Sequence, residues 1–160
     1  MKKALTIISV LMLVVLSLCS CSDTGSTGDQ GTGSASSSSQ AKLGDYEVVI
    51  ESCRLAEDYE GNPVVIVKYK FTNNSDDPSS FMFSLDAQAY QDGIGLNEAY
   101  FLEDSANYSS DNQTKDIKKG ATLSVEVAYE LNDTTADVEI EVSEFISFSD
   151  KKITKKFSIK

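Results

Sequence analysis

The stretch PVVIVKYKF at residues 63–71 decides the fold class, because Val67, Tyr69 and Phe71 in its second half alternate with two lysines. Alternation of this kind is typical of a β-strand that buries one face and exposes the other. The same period recurs at residues 122–131 and 138–142, where apolar residues alternate mainly with Ser and Glu. The side chains expected at the centre of the core are Val65, Val67, Tyr69, Val125, Val127, Tyr129, Val138 and Ile140.

Further strands are expected outward from this stretch, at Tyr46–Ile50 and at Phe81–Ala89, where Phe83 would face inward. Only residues 96–102 suit a short helix. About seven strands, separated by turn residues and without strand-helix-strand units, predict an all-β fold. We therefore expect an immunoglobulin-like antiparallel β-sandwich over residues 43–160.

The N-terminus has the layout of a secretory signal peptide, with two lysines before the apolar run Ala4–Leu18. A helix of this length would span roughly 22 Å, less than the ~30 Å of a bilayer core, which argues against a transmembrane helix. The tetrapeptide Leu18–Cys21 resembles the bacterial lipobox. Residues 1–20 are thus predicted to be a lipoprotein signal peptide and Cys21 the lipidation site. The alternative is a plain secretory signal followed by unmodified cysteines.

Residues 21–42 are predicted to be a lipid-anchored, flexible linker, because residues 22–40 contain seven serines, four glycines and no large apolar side chain. Diacylglycerol and palmitate on Cys21 would hold the protein at the cell membrane on its extracytoplasmic face. Cys53 would then be the one cysteine of the folded part, which rules out an intramolecular disulfide. We expect Cys53 to act as a small buried apolar residue rather than as a reactive thiol.

The charge balance excludes some function classes. Without the signal peptide, 12 basic and 25 acidic side chains remain, a formal charge of −13. Nucleic acid is therefore not an expected partner, since binding phosphates needs a basic surface. The chain also contains no histidine, the usual general base and commonest metal ligand. No cofactor and no bound metal are expected.

A family resemblance rests on the succession VVIVKYKFTNNS, FMFSLDAQAYQDG, IKKGATLSVEVAYEL and SEFISFSDKKITKKF. This succession is similar to the immunoglobulin-like domain of Gram-positive lipoproteins known as domain of unknown function 5067. The resemblance covers about Asp45–Ile159 and implies a lipid-anchored β-sandwich behind a Ser/Gly linker. It implies no activity, and Cys21 is the only functional residue that it transfers.

Three aromatic residues are candidate ligand contacts: Tyr100, Phe101 and Tyr108. They lie in residues 92–120, the longest stretch without strong periodicity, and long loops of this kind often carry function. Exposed aromatic side chains suit a binding surface. The alternative is that two of the three pack beneath the loop.

Glu144 is a further candidate, because strict alternation after Val142 would bury it. We expect a β-bulge near Ser143 to turn Glu144 outward and Phe145 inward. A buried Glu144 would instead need a partner, and would support the alternative function of a carboxylate-dependent envelope hydrolase.

The lysines near the C-terminus suggest a patch for anionic surfaces, formed by Lys151, Lys152, Lys155 and Lys156. The alternative is that Lys155 points inward and protects a sheet edge from aggregation. Two acidic loops, at residues 57–60 and 76–77, lack the spaced pattern of a dedicated calcium loop. They are expected to be solvated turns, and a calcium-stabilised structural module is the alternative.

Together these features predict a lipid-anchored extracellular surface module without enzymatic activity. Its expected partners are the membrane, through Cys21, and an unidentified protein, peptide or component of the cell envelope. The folded domain is expected to be monomeric.

Overall fold

The computed structural model describes residues 39–100, 102 and 106–159. In chain order the elements are β1 (Gln40–Leu43), β2 (Tyr46–Glu57), β3 (Pro63–Asn73), α1 (Phe81–Ser84), β4 (Leu85–Gln91), β5 (Ile94–Gly95), β6 (Thr122–Glu130), β7 (Val138–Glu144) and β8 (Lys152–Phe157). They form two antiparallel sheets with the strand orders β1-β2-β3-β6 and β5-β4-β7-β8. This confirms the predicted all-β sandwich, and the immunoglobulin-like assignment stays a prediction.

The predicted N-terminal features, namely the signal peptide, Cys21 and most of the linker, lie outside the described residues. Residues 40–42, which were included in the predicted linker, belong to β1 and pair with β2. No helix in the described part of the chain is long and apolar enough to span a bilayer.

The core lies between the sheets, and all eight residues predicted for its centre are buried there. Tyr129 connects the two sheets across the core, and Tyr69 of the neighbouring strand contacts it. The hydroxyl oxygens of Tyr69 and Tyr129 are 3.3 Å apart, and Tyr129 donates a hydrogen bond to the Ala87 carbonyl of β4 at 3.0 Å. Burial without such partners would be unfavourable for both hydroxyl groups. The inward alternation of β3 and β6 thus forms the predicted core.

A second apolar cluster covers the outer face of the first sheet. Val64, Ile66 and Ala128 are buried there beneath Ala99 and Ala106, which belong to the long connection between β5 and β6. This connection is fixed by Arg54, whose guanidinium group binds both carboxylate oxygens of Glu126 at 2.5 and 3.0 Å. The same group donates to the carbonyl oxygens of Ala106 and Asn107. The connection therefore packs against the sheet as part of the fold.

The helix predicted at residues 96–102 is wrong in the described part of that range. The Ala99 amide donates to the Ala128 carbonyl, and the Glu130 amide to the Asn97 carbonyl, both at 2.9 Å. This extended pairing with β6 uses backbone groups that a helix would need for itself.

The expected inward position of Phe83 is also wrong, because Phe81–Ser84 forms a helical turn instead of strand. Phe81 points into the core, where its ring centroid lies 5.2 Å from that of Tyr69 and 5.9 Å from that of Phe71. Phe83, two residues later, is exposed. A helical turn breaks the two-residue period, so the two phenylalanines do not share a face.

Strand register defines two ends of the sandwich. The β1–β2 turn, α1 and the β7–β8 connection lie at one end. The β2–β3 turn, the β4–β5 turn and the β6–β7 connection lie at the other. Asp92 and Gly93 form the β4–β5 turn with positive φ angles of 51° and 79°, the conformation that Asp-Gly favours in tight hairpins.

Candidate functional site

The main candidate site is a concave surface of about 520 Å³ at the end that carries the β2–β3 turn. Two tyrosines flank it, Tyr59 from the β2–β3 turn and Tyr100 from the β5–β6 connection, and their side chains are 62% and 64% exposed. Four carboxylates line the same surface: Asp58, Glu60, Glu98 and Glu130. We call this surface the tyrosine groove and the end that carries it the tyrosine end.

The β2–β3 turn positions Tyr59 through Asp58. The Asp58 carboxylate accepts the backbone N–H groups of Glu60 and Asn62 at 2.8 Å each, and the Asn62 side-chain amide at 2.9 Å. These hydrogen bonds, that of the Asn62 side chain foremost, hold the pKa of Asp58 below its ordinary value. Gly61, with φ of 82°, closes the turn in a conformation that favours glycine.

Tyr100 is positioned by the segment before it, which pairs with the edge of β6. Glu98 forms a β-bridge with Tyr129, and the hydroxyl group of Tyr100 donates to the Glu98 carboxylate at 2.8 Å. This hydrogen bond to a carboxylate raises the pKa of Tyr100. The neighbouring charge of Glu60 likewise raises the pKa of Tyr59. The hydroxyl groups of both tyrosines therefore stay protonated at neutral pH, and both side chains are more than half exposed.

The three predicted aromatic contacts have different positions. Tyr100 lies in the tyrosine groove, and Phe101 lies outside the described residues. Tyr108 is half-buried against the second apolar cluster, where Gln113 donates to its hydroxyl group at 3.1 Å. Burial raises the pKa of Tyr108. Tyr108 thus holds the connection on the sheet, the position that the alternative gave to two of the three aromatic residues. Tyr59 was not among the candidates, because it stands alone in a short turn.

Glu144 lies at the opposite end of the sandwich. The register of β7 continues without a shift through Glu144, and Phe145 is exposed, so the expected bulge and the inward Phe145 are wrong. Glu144 is half-buried, with its carboxylate over Gly44 of the β1–β2 turn. A Cβ atom at Gly44 would lie only 2.2 Å from its Oε1. Gly44 leaves space for this charged group at the rim of the core.

The four predicted patch lysines do not form one surface. Lys155 points inward, and its ammonium group donates to the carbonyl oxygens of Ile50 and Glu51 at 2.8 and 2.9 Å. These carbonyls lie at an irregularity in the β2–β3 register between Ile50 and Ser52. Successive residues of a strand face opposite sides, so Lys155 is separated from Lys152 and Lys156. This inward position agrees with the alternative in which Lys155 protects a sheet edge from aggregation.

The outward lysines of β8 meet acidic residues instead of forming a positive patch. Lys152 pairs with Glu141 at 2.8 Å, and Lys156 lies 3.7 Å from Asp137, whereas Lys151 is exposed in the connection before β8. This face carries a second concave surface of about 580 Å³, which we call the sheet-2 groove. Its lining includes Tyr90, Asp92, Asp137, Glu139, Glu141 and Lys156.

The acidic loops considered for calcium are engaged in other contacts. Asp58 stabilises its own turn, and Asp76 pairs with Lys119 at 2.5 Å. Within residues 39–100, 102 and 106–159, no group of three or more His, Cys, Asp and Glu side chains could hold a metal ion.

Cys53, on β2, is half-buried against the core. Burial raises the pKa of its thiol, an effect that nearby Lys155 partly offsets. A raised thiol pKa lowers the thiolate fraction, which agrees with the expected apolar role.

The fold and the groove define the class of this protein, a small β-sandwich that presents aromatic side chains from its end loops. The chain belongs to the family described as Domain of unknown function (DUF5067), whose model matches residues 22–144. No curated protein sequence matches the chain.

Three solved structures share the fold. A candidate lipoprotein from Staphylococcus aureus superposes with a TM-score of 0.55 at 20% identity, covering 75% of this chain and 92% of that one. A protein from Enterococcus faecalis superposes with a TM-score of 0.56 at 17% identity, covering 76% of this chain and 90% of that one. A conserved hypothetical protein from Bacillus anthracis superposes with a TM-score of 0.52 at 12% identity, covering 72% of this chain and 90% of that one. At these identities the likeness concerns the fold.

Proposed function

We propose that this chain is a lipid-anchored, extracytoplasmic module without enzymatic activity. It binds a cationic peptide, or another amine-bearing component of the cell envelope, in the tyrosine groove. The observation that carries this proposal is the pair of exposed tyrosines, Tyr59 and Tyr100, from two separate loops over one concave surface with four carboxylates.

The chemistry of the groove favours a positively charged ligand. A tyrosine ring face attracts an ammonium or guanidinium group by about 0.5–1 kcal/mol at an exposed site. The four carboxylates add attraction of the same sign, which salt screens beyond roughly 8 Å at physiological ionic strength. The hydrogen bonds of Asp58 and Glu98 hold both loops in place before the ligand arrives. A groove formed in advance loses less entropy on binding.

The anchor is supported by the N-terminal sequence pattern and by membership of the family. The Leu18–Cys21 tetrapeptide has the small residue and the cysteine that lipid attachment requires. The Staphylococcus aureus neighbour with the same fold is itself described as a candidate lipoprotein. The hydrolase alternative depended on Glu144, which lies at the end of the sandwich opposite the tyrosine groove.

The binding proposal is tested by titrating the protein with a tetralysine peptide at about 0.15 M salt, where charges beyond the groove are screened. Calorimetry should show that the double variant Tyr59→Ser/Tyr100→Ser binds about tenfold more weakly than the natural protein, as expected for two lost cation–π contacts.

The matched control is Glu139→Gln/Glu141→Gln, which should change the dissociation constant by less than about twofold, because these carboxylates line the sheet-2 groove and not the tyrosine groove. Equal losses in the tyrosine variant and in this control would contradict the proposal, since they would indicate attraction to net charge alone.

A further inference from the structure

Large apolar side chains are concentrated on the surface at the end opposite the tyrosine groove. Phe83 follows Phe81 in α1, and Phe145, Ile146 and Phe148 occupy the β7–β8 connection. Their exposed fractions range from 57% for Phe145 to 108% for Phe148. We call the four exposed residues, Phe83, Phe145, Ile146 and Phe148, the apolar tip. A concentration of exposed apolar surface commonly marks a site of contact with a protein or a membrane.

Backbone hydrogen bonds bring the two parts of the apolar tip together. The Phe145 amide donates to the Ser84 carbonyl at 3.0 Å, which extends the β4–β7 pairing by one step towards α1. Within the connection, the hydroxyl oxygen of Ser147 accepts the Ser149 amide at 3.0 Å, and that of Ser149 accepts the Lys151 amide at 3.2 Å. The polar groups are thus bonded within the connection, while the apolar side chains point out of it.

We infer that the apolar tip inserts into the surface of the same lipid bilayer to which the chain is anchored. This inference rests on the anchor of the proposed function. The chain from Cys21 to Ser38 has 18 residues, and a Gly/Ser-rich sequence of this length is expected to reach roughly 21–25 Å. It joins β1 at Gln40, opposite Val49 of β2, and β1 then runs towards the end with the apolar tip. The tip is only about 10–15 Å from this junction along β1, within the reach of the linker.

The shape and the charge of the tip fit lipid better than a rigid pocket. Phe148 is fully exposed, and the interface of a bilayer accommodates a projecting apolar side chain without a matching cavity. The flanking charges, Glu144, Asp150, Lys151 and Lys152, cancel formally. Insertion therefore depends on apolar contact and needs no anionic lipid.

Because the chain is already anchored, a small apolar tip is sufficient for contact with the bilayer. A tethered domain meets the membrane at a high effective concentration, so a second weak contact is occupied without strong affinity of its own. Insertion of the tip would also orient the domain. The eleven residues of β3 correspond to about 36 Å along the strand, so the tyrosine groove would face away from the bilayer.

The absence of tryptophan from the chain allows a direct test with a single introduced fluorophore. Full-length, lipid-modified Phe148→Trp protein is reconstituted in phosphatidylcholine vesicles, some of which contain brominated acyl chains. The matched control is Tyr100→Trp at the other end. We expect the fluorescence of the Phe148→Trp variant to be quenched strongly by brominated lipid and weakly by iodide in the buffer, with the reverse order for the Tyr100→Trp variant. Replacing half of the lipid by phosphatidylglycerol should leave this pattern unchanged.

Several outcomes would overturn the inference. If the protein is retained on the vesicles but iodide quenches both variants equally, the anchor stands and tip insertion is wrong. If the Phe148→Trp variant is shielded from iodide in detergent-free buffer without lipid, the tip contacts another protein copy instead. Quenching by brominated lipid only when phosphatidylglycerol is present would indicate an electrostatic contact. Failure of the protein to remain with the vesicles at all would contradict the anchor, and with it the inference.

Discussion

The two ends of the sandwich both expose aromatic side chains, but their surroundings differ. At the tyrosine end, Tyr59 and Tyr100 each donate a hydrogen bond to a neighbouring carboxylate, and their rings border a concave acidic surface. At the other end, the exposed side chains of Phe145 and Phe148 carry no polar group. Exposed aromatic residues thus indicate a contact surface, and their polar neighbours decide what kind of partner suits it.

Loss of the lipid anchor should have the largest effect, because both ends of the sandwich would then leave the membrane surface. With Cys21→Ala, we expect release of the protein into the medium or its retention as an uncleaved precursor, because the apolar tip alone is too small to hold the chain. Cell fractionation followed by mass measurement of the N-terminus distinguishes the two. A fully processed variant that stays on the membrane as before would contradict the assignment of Cys21.

At the apolar end, two phenylalanines two residues apart should behave differently. Phe81→Ala removes a buried ring that packs against Tyr69 and Phe71, and should lower the free energy of unfolding by about 3–5 kcal/mol. Phe83→Ala removes an exposed ring and should change it by less than about 0.5 kcal/mol. Guanidinium denaturation measures both. A large loss for Phe83→Ala would mean that the apolar tip is part of the core.

A smaller effect is expected where Glu144 covers the β1–β2 turn. Gly44→Ala places a Cβ against the Glu144 carboxylate at a backbone φ of 57°, and should cost about 1–2 kcal/mol of stability. In a Glu144→Ala background the clash with the carboxylate is absent, so the loss of stability comes only from the strained backbone conformation at residue 44. A double-mutant cycle from urea denaturation measures the difference. Strict additivity would show that the two residues do not interact.

The smallest effect concerns the pH dependence of the tyrosine end. Hydrogen bonds, chiefly from Asn62, hold the folded pKa of Asp58 below its ordinary value of 3.8. Their stabilisation is therefore complete above that value and is lost as the pH falls through the lower folded pKa. Asn62→Ala should raise the pKa of Asp58 in an NMR titration. An unchanged value would mean that Asn62 does not hold the turn.

Periodicity predicted the core of this fold because β3, β6 and β7 obey strict alternation over most of their lengths. It failed at Phe83, because residues 81–84 follow the strand pattern in sequence but form a helical turn. At Glu144 and Phe145 strict alternation was right, and the expected bulge was wrong. Ile66 and Ala128 face away from the main core, and alternation alone gives no sign that a distant connection buries them.

The candidate site was less predictable than the core. Tyr100 was identified from its loop, but its partner Tyr59 lies about forty residues earlier, and only the pairing of both loops with the strand ends brings them together. Lys155 was predicted either to join a patch for anionic surfaces, from the number of nearby lysines, or to point inward, from alternation. The carbonyl groups of Ile50 and Glu51, which decide between the two, depend on an irregularity in β2 that the sequence does not mark.

We expect the two ends to face opposite directions on the cell, the apolar tip towards the membrane and the tyrosine groove outward. Labelling of intact cells with a membrane-impermeant maleimide tests this orientation, using Tyr100→Cys and Phe148→Cys in a Cys53→Ala background. The Tyr100→Cys variant should label several-fold faster than the Phe148→Cys variant, and detergent should make the two rates equal. Equal rates on intact cells, or no labelling of the Tyr100→Cys variant, would contradict it.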